Sequence, residues 1–366
     1  MRILVAPEKF PTMKAQAVAQ AMARGLERVS PEFDVVIHPL ASGGSGTTEL
    51  AVRFGKGRVR QEVLPVAHHR PREIKWAWLE DKTAIFDAQD VLGPPDGPSQ
   101  LPAVYTDSTP LGDMLRRIFV HRPRQVVVAL ADVLAADGGL GLLTAFGVCA
   151  INSEGTVGQP GARRLLNLDA LDFSAFTPPP IPLVVLVDQW AAWDERVQQE
   201  DFRLDLVHGG LTAASQRYAA LLGDRVSAPL SSSAGSGAGG GLGLALAFLG
   251  AQFASGAQYL ADLSHLAENA GRADWLLTGS AALTDLSGTQ AVGIAAAAAR
   301  DAGIPAVALT VELGRGHAAL YDAGLIGLYP VLDRPRPPKE AQRTLTALVE
   351  KAAYRVGYWM QALSDP

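Results

Sequence analysis

The feature that most constrains the fold of this chain is an alternation of strand and helix patterns that starts at its first residues. Residues 3–5 form an apolar, β-branched run typical of a strand, and residues 18–29 carry an apolar stripe at helical spacing. Residues 35–38 then predict a second strand. This order favours a right-handed crossover and a parallel, doubly wound sheet, whose ligand crevice lies at the carboxyl ends of its strands.

The pattern changes after residue 57. Three short segments alternate between polar and apolar residues, as antiparallel strands do, at 59–63, 74–78 and 83–86. A helix at 111–119 and a strand at 125–130 then restore the earlier alternation. A chain of 366 residues also exceeds what one hydrophobic core usually supports. We therefore expect a second α/β domain to begin near residue 58.

The last part of the chain has the same pattern as the first. Strands predicted at 275–277 and 306–309 flank an alanine-rich helix, as in a further strand-helix-strand unit. The predicted fold class is therefore α/β, with a Rossmann-like parallel sheet domain built from both chain ends and a second α/β domain inserted into it. The predicted domains are residues 1–57 plus 255–366, and residues 58–254.

Composition and charge exclude several classes of function. The net charge of −5 is spread along the chain, and no basic patch with interleaved aromatic residues predicts nucleic-acid binding. The longest apolar runs fall short of the ~20 residues that cross a bilayer. Residues 1–7 are too short an apolar run for a signal peptide. We therefore expect a cytoplasmic protein whose partner is a small molecule, with no membrane and no nucleic acid involved.

Disulfide and metal chemistry find little support in the sequence. Cys149 is the only cysteine, which excludes an internal disulfide and a thiolate metal site. Its small, apolar neighbours predict that it is buried. The histidines lack the spacing of metal ligands, so the residues predict no metal site.

The first candidate ligand loop runs from Ala41 to Thr48 and has the sequence Ala-Ser-Gly-Gly-Ser-Gly-Thr-Thr. It follows a predicted strand and opens a helix, where backbone N–H groups and the helix dipole can hold a phosphate or a carboxylate. A flexible turn capped by the Thr47 side chain explains the same residues.

A second glycine-rich stretch, at 231–243, also precedes an apolar helix. Its lack of side chains permits close approach of a ligand's phosphates, while a hinge or close helix packing is the alternative. It contains no Walker lysine, so a P-loop is not predicted.

Asp137 follows the strand at 126–130 and either touches a ligand or magnesium or caps the next helix. Asp188 ends another predicted strand and either faces the crevice or forms a turn.

Taken in order, these segments resemble the bacterial glycerate kinase family over nearly the whole chain. The resemblance implies transfer of the γ-phosphoryl group of ATP, with magnesium, to a hydroxyl of D-glycerate. It implies catalytic roles for Asp137 and Asp188. It also implies ligand contacts for a set of small residues, which are Ser42, Gly43, Gly44, Ser45, Gly46, Thr47, Gly239, Gly240, Gly241, Thr278, Gly279 and Ser280.

The chain departs from the family at charged positions. Where the family reads Asp-Ser-Phe-Lys-Gly-Ser, this chain has Glu-Lys-Phe-Pro-Thr-Met from residue 8, so Lys9 and Lys14 are only possible substitutes for the family lysine. Where the family loop reads Ala-Asp-Gly-Gly-Glu-Gly-Thr, this chain has serines at both acidic positions, Ser42 and Ser45. After Thr278-Gly279, the family's Glu-Gly-Arg-Ile-Asp is replaced by Ser-Ala-Ala-Leu-Thr.

The scaffold of the family is thus kept while much of its polar chemistry is replaced. Loss of one oriented electrostatic donor typically costs ~2.7–4 kcal/mol of activation barrier, so several losses together predict phosphoryl transfer close to background. We predict a pseudoenzyme-like member that at most binds a small anion or a nucleotide. One alternative is an active kinase for glycerate or another hydroxy acid, using ATP, magnesium and relocated residues. Another is a non-enzymatic regulatory or interaction protein.

Overall fold

The computed structural model describes residues 1–66, 70–93, 106–133, 135–156, 161–198, 211–226 and 229–364. The strands within these residues are β1 (Arg2–Pro7), β2 (Asp34–Ile37), β3 (Arg58–Val66), β4 (Arg70–Trp78), β5 (Thr83–Asp87), β6 (Gln125–Ala129), β7 (Cys149–Asn152), β8 (Gly155–Thr156), β9 (Ala170–Asp172), β10 (Leu183–Val187), β11 (Gln252–Ser255), β12 (Trp275–Leu283), β13 (Ala306–Leu313) and β14 (Gly327–Pro330).

The helices within the same residues are α1 (Ala15–Glu27), α2 (Thr47–Phe54), α3 (Ala88–Leu92), α4 (Thr109–Val120), α5 (Leu140–Thr144), α6 (Arg163–Leu166), α7 (Trp193–Gln198), α8 (Leu211–Gly223), α9 (Leu242–Phe248), α10 (Gly256–Leu263), α11 (Leu266–Ala270), α12 (Ala291–Asp301), α13 (Ala319–Ala323) and α14 (Pro338–Ser364). Two 3₁₀ turns, Ala238–Gly241 and Asp285–Thr289, precede α9 and α12. None of the helices described is both long and apolar enough to cross a lipid bilayer.

The chain divides into two compact units. Unit 1 consists of Met1–Ser42 and Gly256–Pro366, and unit 2 consists of Gly43–Ser255. Unit 1 is therefore discontinuous in sequence, because unit 2 interrupts it once.

Unit 1 is built on a parallel sheet with the strand order β14-β13-β12-β1-β2. Successive side chains of a strand point to opposite faces, and both faces of this sheet are covered. Ile3 and Val5 pack into a cluster with α1 and α14, whereas Leu4 and Ala6 pack into a second cluster with α10, α11 and α12. Burial on both faces explains why these strands read as continuous apolar runs rather than as alternating ones.

Unit 2 contains a mixed sheet with the order β11-β10-β6-β5-β4-β3. The prediction of antiparallel strands after residue 57 is confirmed, because β3 pairs antiparallel with β4 and β4 with β5. The remaining pairs, from β5 through β6 and β10 to β11, are parallel. The carboxyl ends of β5, β6, β10 and β11 therefore meet at one edge of this sheet.

A small antiparallel sheet, β8-β7-β9, completes unit 2 and carries the cysteine. The prediction that Cys149 is buried is wrong, since its side chain is exposed. The neighbouring Ala150 is buried, and the alternation of side chains along β7 places Cys149 on the opposite, outer face. The apolar character of the neighbours therefore did not decide the burial of this residue.

Candidate functional site

The carboxyl end of β1 in unit 1 lies at a topological switch point. The chain continues from β1 to β2 on one side, while β12, β13 and β14 lie on the other side. In open α/β sheets, ligands bind outside the carboxyl ends of the strands at such a point. Here the backbone N–H of Glu8 donates a hydrogen bond to the carbonyl of Gly279 on β12, at 2.8 Å.

Three groups from different segments meet at this switch point. The Ser42 hydroxyl donates to the Glu8 carboxylate at 2.5 Å and accepts a hydrogen bond from the backbone N–H of Ala291 at 3.0 Å. Ala291 is the first residue of α12, whose N-cap residue Gln290 makes no capping bond with its own side chain. Ser42 therefore caps α12 from a distant part of the sequence. Glu8 is only 9% exposed and is tied to the same end of the helix through this hydroxyl.

The family-like positions on β12 serve the sheet in this structure. Thr278 is completely buried, and its hydroxyl donates to the carbonyl of Ala6 on β1 at 2.7 Å. A side chain on Gly279 would collide with the carbonyl of Leu309 on β13. Ser280, the next residue, is half-buried. The contacts described for Thr278 and Gly279 thus hold β1, β12 and β13 together, and ligand contact stays a prediction for all three residues.

The two candidate lysines flank a tight turn after β1. Phe10 and Met13 exchange two backbone hydrogen bonds of 3.0 Å each, with Lys9 just before this pair and Lys14 just after it. Both lysine side chains are exposed, and Lys14 occupies the N-cap position of α1. Their part in binding or catalysis stays a prediction.

A buried polar cluster of unit 2 joins the first candidate loop to the end of β5. We call residues Gly43–Thr47 the glycine loop. The backbone N–H of Gly46 donates to Oδ2 of Asp87 at 2.8 Å. The backbone N–H and the hydroxyl of Thr48 both donate to Oδ1 of Asp87, each at 2.9 Å. Gly46 has a φ of +99°, a conformation that favours glycine.

A second aspartate holds the other half of the glycine loop. The backbone N–H of Ser45 donates to Oδ2 of Asp132 at 3.1 Å, and the N–H of Ala131 donates to the carbonyl of Gly43 at 3.1 Å. A side chain on Gly44 would collide with the Asp132 carboxylate, so the backbone approaches it closely. The N–H groups of Ser45, Gly46 and Thr48 therefore donate to carboxylates of the chain itself, where the sequence predicts an external anion.

Burial and hydrogen bonding shift the pKa of Asp87 in opposite directions. Burial favours its neutral form and, with a smaller contribution from the nearby Asp90 carboxylate, raises the pKa of Asp87 from 3.8 to about 7, against the hydrogen bonds from Gly46 and Thr48. Sequence reasoning missed this residue. Its position directly after the buried run Thr83–Phe86 was the available signal, because strand ends point toward the site edge.

The alternative interpretation of the loop, in which the Thr47 side chain caps α2, is wrong. It is the first residue of the helix, after Gly46 at the N-cap, and no side-chain capping bond is made there. Its hydroxyl is buried and has no hydrogen-bond partner among the described residues. A buried hydroxyl without a partner typically costs ~1–3 kcal/mol.

Asp137, a predicted catalytic residue, is completely buried in unit 2. It accepts hydrogen bonds from the backbone and hydroxyl of Ser108, at 3.1 and 2.7 Å, and from the N–H groups of Gly139 and Gly141, at 3.0 and 3.3 Å. Burial raises the pKa of the Asp137 carboxyl. These contacts match the interpretation in which it caps the following helix, α5, and its catalytic role stays a prediction.

The second glycine-rich stretch packs against the chain's own atoms. Gly239, Gly240 and Gly241 all have positive φ angles, of +63°, +71° and +110°. Side chains added at these positions would collide with Leu130, the backbone of Ala135 and the ring of Trp193, respectively. These contacts match the alternative of close packing, while ligand binding by the three glycines stays a prediction.

Asp188 directly follows β10 and is half-buried at the carboxyl edge of the sheet.

Comparisons with known proteins agree on one family. The model of the glycerate kinase family matches residues 3–189 and 207–361. A glycerate kinase of Halalkalibacterium halodurans is 26% identical over 97% of each chain, and one of Haemophilus influenzae is 24% identical over 91% of each. A solved structure assigned as glycerate kinase 2 of Salmonella typhimurium LT2 is 23% identical, covers 100% of both chains and has a TM-score of 0.76. This likeness confirms the predicted α/β fold class.

Proposed function

This chain belongs to the glycerate kinase family, and we propose that it is a member that binds a small anion of the glycerate or nucleotide type while transferring phosphate slowly or not at all. The family reaction moves a phosphoryl group from ATP to a hydroxyl. Phosphoryl transfer relies on positioning and on charges that offset those of the phosphates, with a carboxylate to orient the attacking hydroxyl. The proposal therefore depends on which charges remain near the switch point and the glycine loop.

The observation that carries the proposal is the environment of Ser42. At this position the family has an aspartate, whereas Ser42 is neutral. Its hydroxyl is also engaged on both sides, as donor to Glu8 and as acceptor from Ala291. A hydroxyl held in this way does not replace a carboxylate that accepts a proton or places a reactant. The serine thus supports the local structure while the charge is lost.

The glycine loop supports the binding half of the proposal. The N–H groups of Ser45 and Gly46 in the loop, and that of the adjacent Thr48, donate to carboxylate oxygens of Asp132 and Asp87. N–H groups at a helix start adopt the same arrangement around anions. The Ser45 side chain is exposed beside these donors. A ligand carboxylate or phosphate would be bound here in competition with the chain's own aspartates, which favours weak binding.

The described residues do not fit a magnesium site built by the protein alone. Across the described parts of the chain, no group of three or more His, Cys, Asp or Glu side chains is placed to hold a metal ion. We therefore derive no step of the reaction through magnesium.

The direct test is a coupled kinase assay with D-glycerate and Mg-ATP, run beside the Halalkalibacterium halodurans relative. We expect turnover well below the ~1–100 s⁻¹ usual for kinases. A thermal-shift panel of glycerate, other hydroxy acids and nucleotides tests binding separately. Turnover in the ordinary range would contradict the loss of catalysis, and the absence of any ligand-dependent shift would contradict binding.

A matched pair of variants locates the binding. Gly44→Ala places a methyl group against the Asp132 carboxylate, whereas Gly223→Ala, at the end of α8, meets no neighbour within 4 Å among the described residues. We expect the ligand-induced shift to disappear in Gly44→Ala and to persist in Gly223→Ala. Equal shifts in both variants would place the ligand away from the glycine loop.

A second candidate, an active kinase with relocated residues, is favoured by two carboxylates. The exposed Asp132 and the half-buried Asp188 both follow parallel strands at the carboxyl edge of the unit 2 sheet. If they orient the acceptor hydroxyl, Asp132→Asn or Asp188→Asn will lower kcat at least ~100-fold, the usual contribution of such a group. Calorimetry that detects no Mg-ATP binding at millimolar concentration would eliminate this candidate.

A further inference from the structure

Asp87 anchors the start of α2, yet it belongs to none of the sequence segments that carry the family resemblance. It is the last residue of β5 and is 3% exposed. Its hydrogen-bond donors lie about forty residues earlier in the chain, on Gly46 and Thr48. The residue thus connects the central sheet of unit 2 to the glycine loop.

The geometry places a negative charge where a helix favours one. The first N–H groups of a helix have no partner inside the helix, and its N-terminus carries a partial positive charge. Oδ2 of Asp87 accepts from Gly46, at the N-cap of α2, and Oδ1 accepts from Thr48, at its second residue. The carboxylate therefore satisfies two donors that a bound anion would otherwise satisfy.

The surroundings of Asp87 make this link depend on ionisation. From α3 it faces the Asp90 carboxylate, from α2 it meets the donors of Thr48, and in β6 it lies beside Ala129 in the strand register. An ionised carboxylate can accept at both oxygens, whereas a protonated one must donate from one of them. Protonation therefore removes or rearranges at least one of the bonds to Gly46 and Thr48.

We propose that Asp87 is a positioning residue that holds the glycine loop and the start of α2 in the conformation that meets a ligand. This inference rests on the proposed function for the loop's role in binding, but the position of the loop can be measured without a ligand. Asp87 acts through Gly46 and Thr48 and does not itself touch the reactants. The control of the loop is therefore exerted from the sheet beneath it.

The test is amide hydrogen exchange of the full, ligand-free chain between pH 6 and pH 8, corrected for the intrinsic exchange rate. Local opening of the loop breaks the hydrogen bonds that favour the ionised carboxylate, while Asp87 stays buried at the end of β5. In the wild-type chain we therefore expect the protection of the Gly46 and Thr48 amides against local opening to rise about tenfold with pH as the carboxyl ionises, although ionisation lowers the global stability. In Asp87→Asn we expect low protection that does not change with pH. Asp172→Asn is the matched control, because Asp172 also accepts from a backbone N–H and a hydroxyl, those of Ser174, but is only half-buried.

A flat profile in the wild-type chain overturns the inference whether or not the variant folds. An Asp87→Asn profile that matches the wild-type one also overturns it. Titration of D-glycerate into the same samples then separates the two proposals. The expected pH profile without any ligand binding leaves the positioning role intact and defeats the proposed function, whereas ligand binding with a flat profile defeats the positioning role alone.

Discussion

Asp87 and Asp137 are two buried aspartates of unit 2 that make the same kind of hydrogen bonds in different parts of the unit. Each accepts several hydrogen bonds at the start of a helix, Asp87 at α2 and Asp137 at α5. Burial raises the pKa of both carboxyls. Asp137, however, caps a helix that begins three residues after it, whereas Asp87 holds a loop about forty residues away in sequence.

The comparison shows that a buried aspartate can stabilise the start of a helix that is either adjacent to it or distant from it in sequence. Around Asp137 the network closes on itself, because the Ser108 hydroxyl that donates to it also accepts from the N–H of Leu142 on α5. Around Asp87 the donors are Gly46 in the glycine loop and Thr48 in α2, both far from the carboxylate in sequence. We therefore expect disruption at Asp137 to act on stability and disruption at Asp87 to act on the glycine loop.

The largest effect is expected from Asp137→Ala. The change leaves four donor groups buried without an acceptor, and each such group costs ~1–3 kcal/mol, so the free energy of unfolding should fall by roughly 5 kcal/mol. Urea denaturation followed by circular dichroism measures it. Asp172→Ala, at a half-buried position, is the control and should change the free energy of unfolding little. A loss under about 1 kcal/mol for Asp137→Ala would mean that the two aspartates differ less than their contacts imply.

A smaller effect should follow from the titration of Asp87. Its pKa rises from 3.8 to about 7 on folding, so between these values the unfolded chain has lost a proton that the folded chain keeps. The free energy of unfolding therefore falls as pH rises from about 4 to about 7, by up to ~4 kcal/mol, and then levels off. The stability difference between the wild-type chain and Asp87→Asn, measured by urea denaturation at several pH values, isolates this contribution.

The direction of that pH dependence shows whether burial or hydrogen bonding has the larger effect on the pKa of Asp87. Asp172→Asn serves as the control, because hydrogen bonds from Ser174 lower the pKa of Asp172 and its contribution has the opposite direction. A wild-type minus Asp87→Asn difference that grows with pH in this window would show that the hydrogen bonds outweigh burial at Asp87.

The smallest effect compares two glycines with positive φ. Gly139 precedes α5 with a φ of +77°, and a side chain there would collide with Ala245, whereas Gly46 has a φ of +99° and open space around it among the described residues. The backbone term alone costs ~1–2 kcal/mol for an alanine. Gly139→Ala should therefore destabilise by more than Gly46→Ala, by about 1–2 kcal/mol in thermal or urea unfolding. Equal losses would place the whole cost in the backbone.

Much of the fold could be predicted because local patterns of apolar and polar residues indicate its strands and helices. The apolar runs of β1 and β12 and the alternating segments of β3 and β4 indicate parallel and antiparallel strands directly. The family resemblance then located the loops that follow them. Local pattern failed at Cys149, where apolar neighbours suggested burial and the alternation along β7 decided otherwise.

The candidate site was less predictable because its contacts join distant residues. Nothing near Asp87 in sequence indicates that its partners are Gly46 and Thr48. Glycine composition alone also does not distinguish approach to a ligand from approach to the chain itself, and Gly240 lies against the backbone of Ala135. The capping of α12 by Ser42 was equally invisible, since Ser42 and Ala291 are 249 positions apart.

The exposed side chain of Cys149 has a practical consequence for studying unit 2. The sequence contains no other thiol, and this one faces solvent on β7. A maleimide fluorophore would therefore couple to the folded chain at a single known position, with no cysteine to be added or removed. Labelling at this position would provide a spectroscopic reporter within unit 2 of the native sequence.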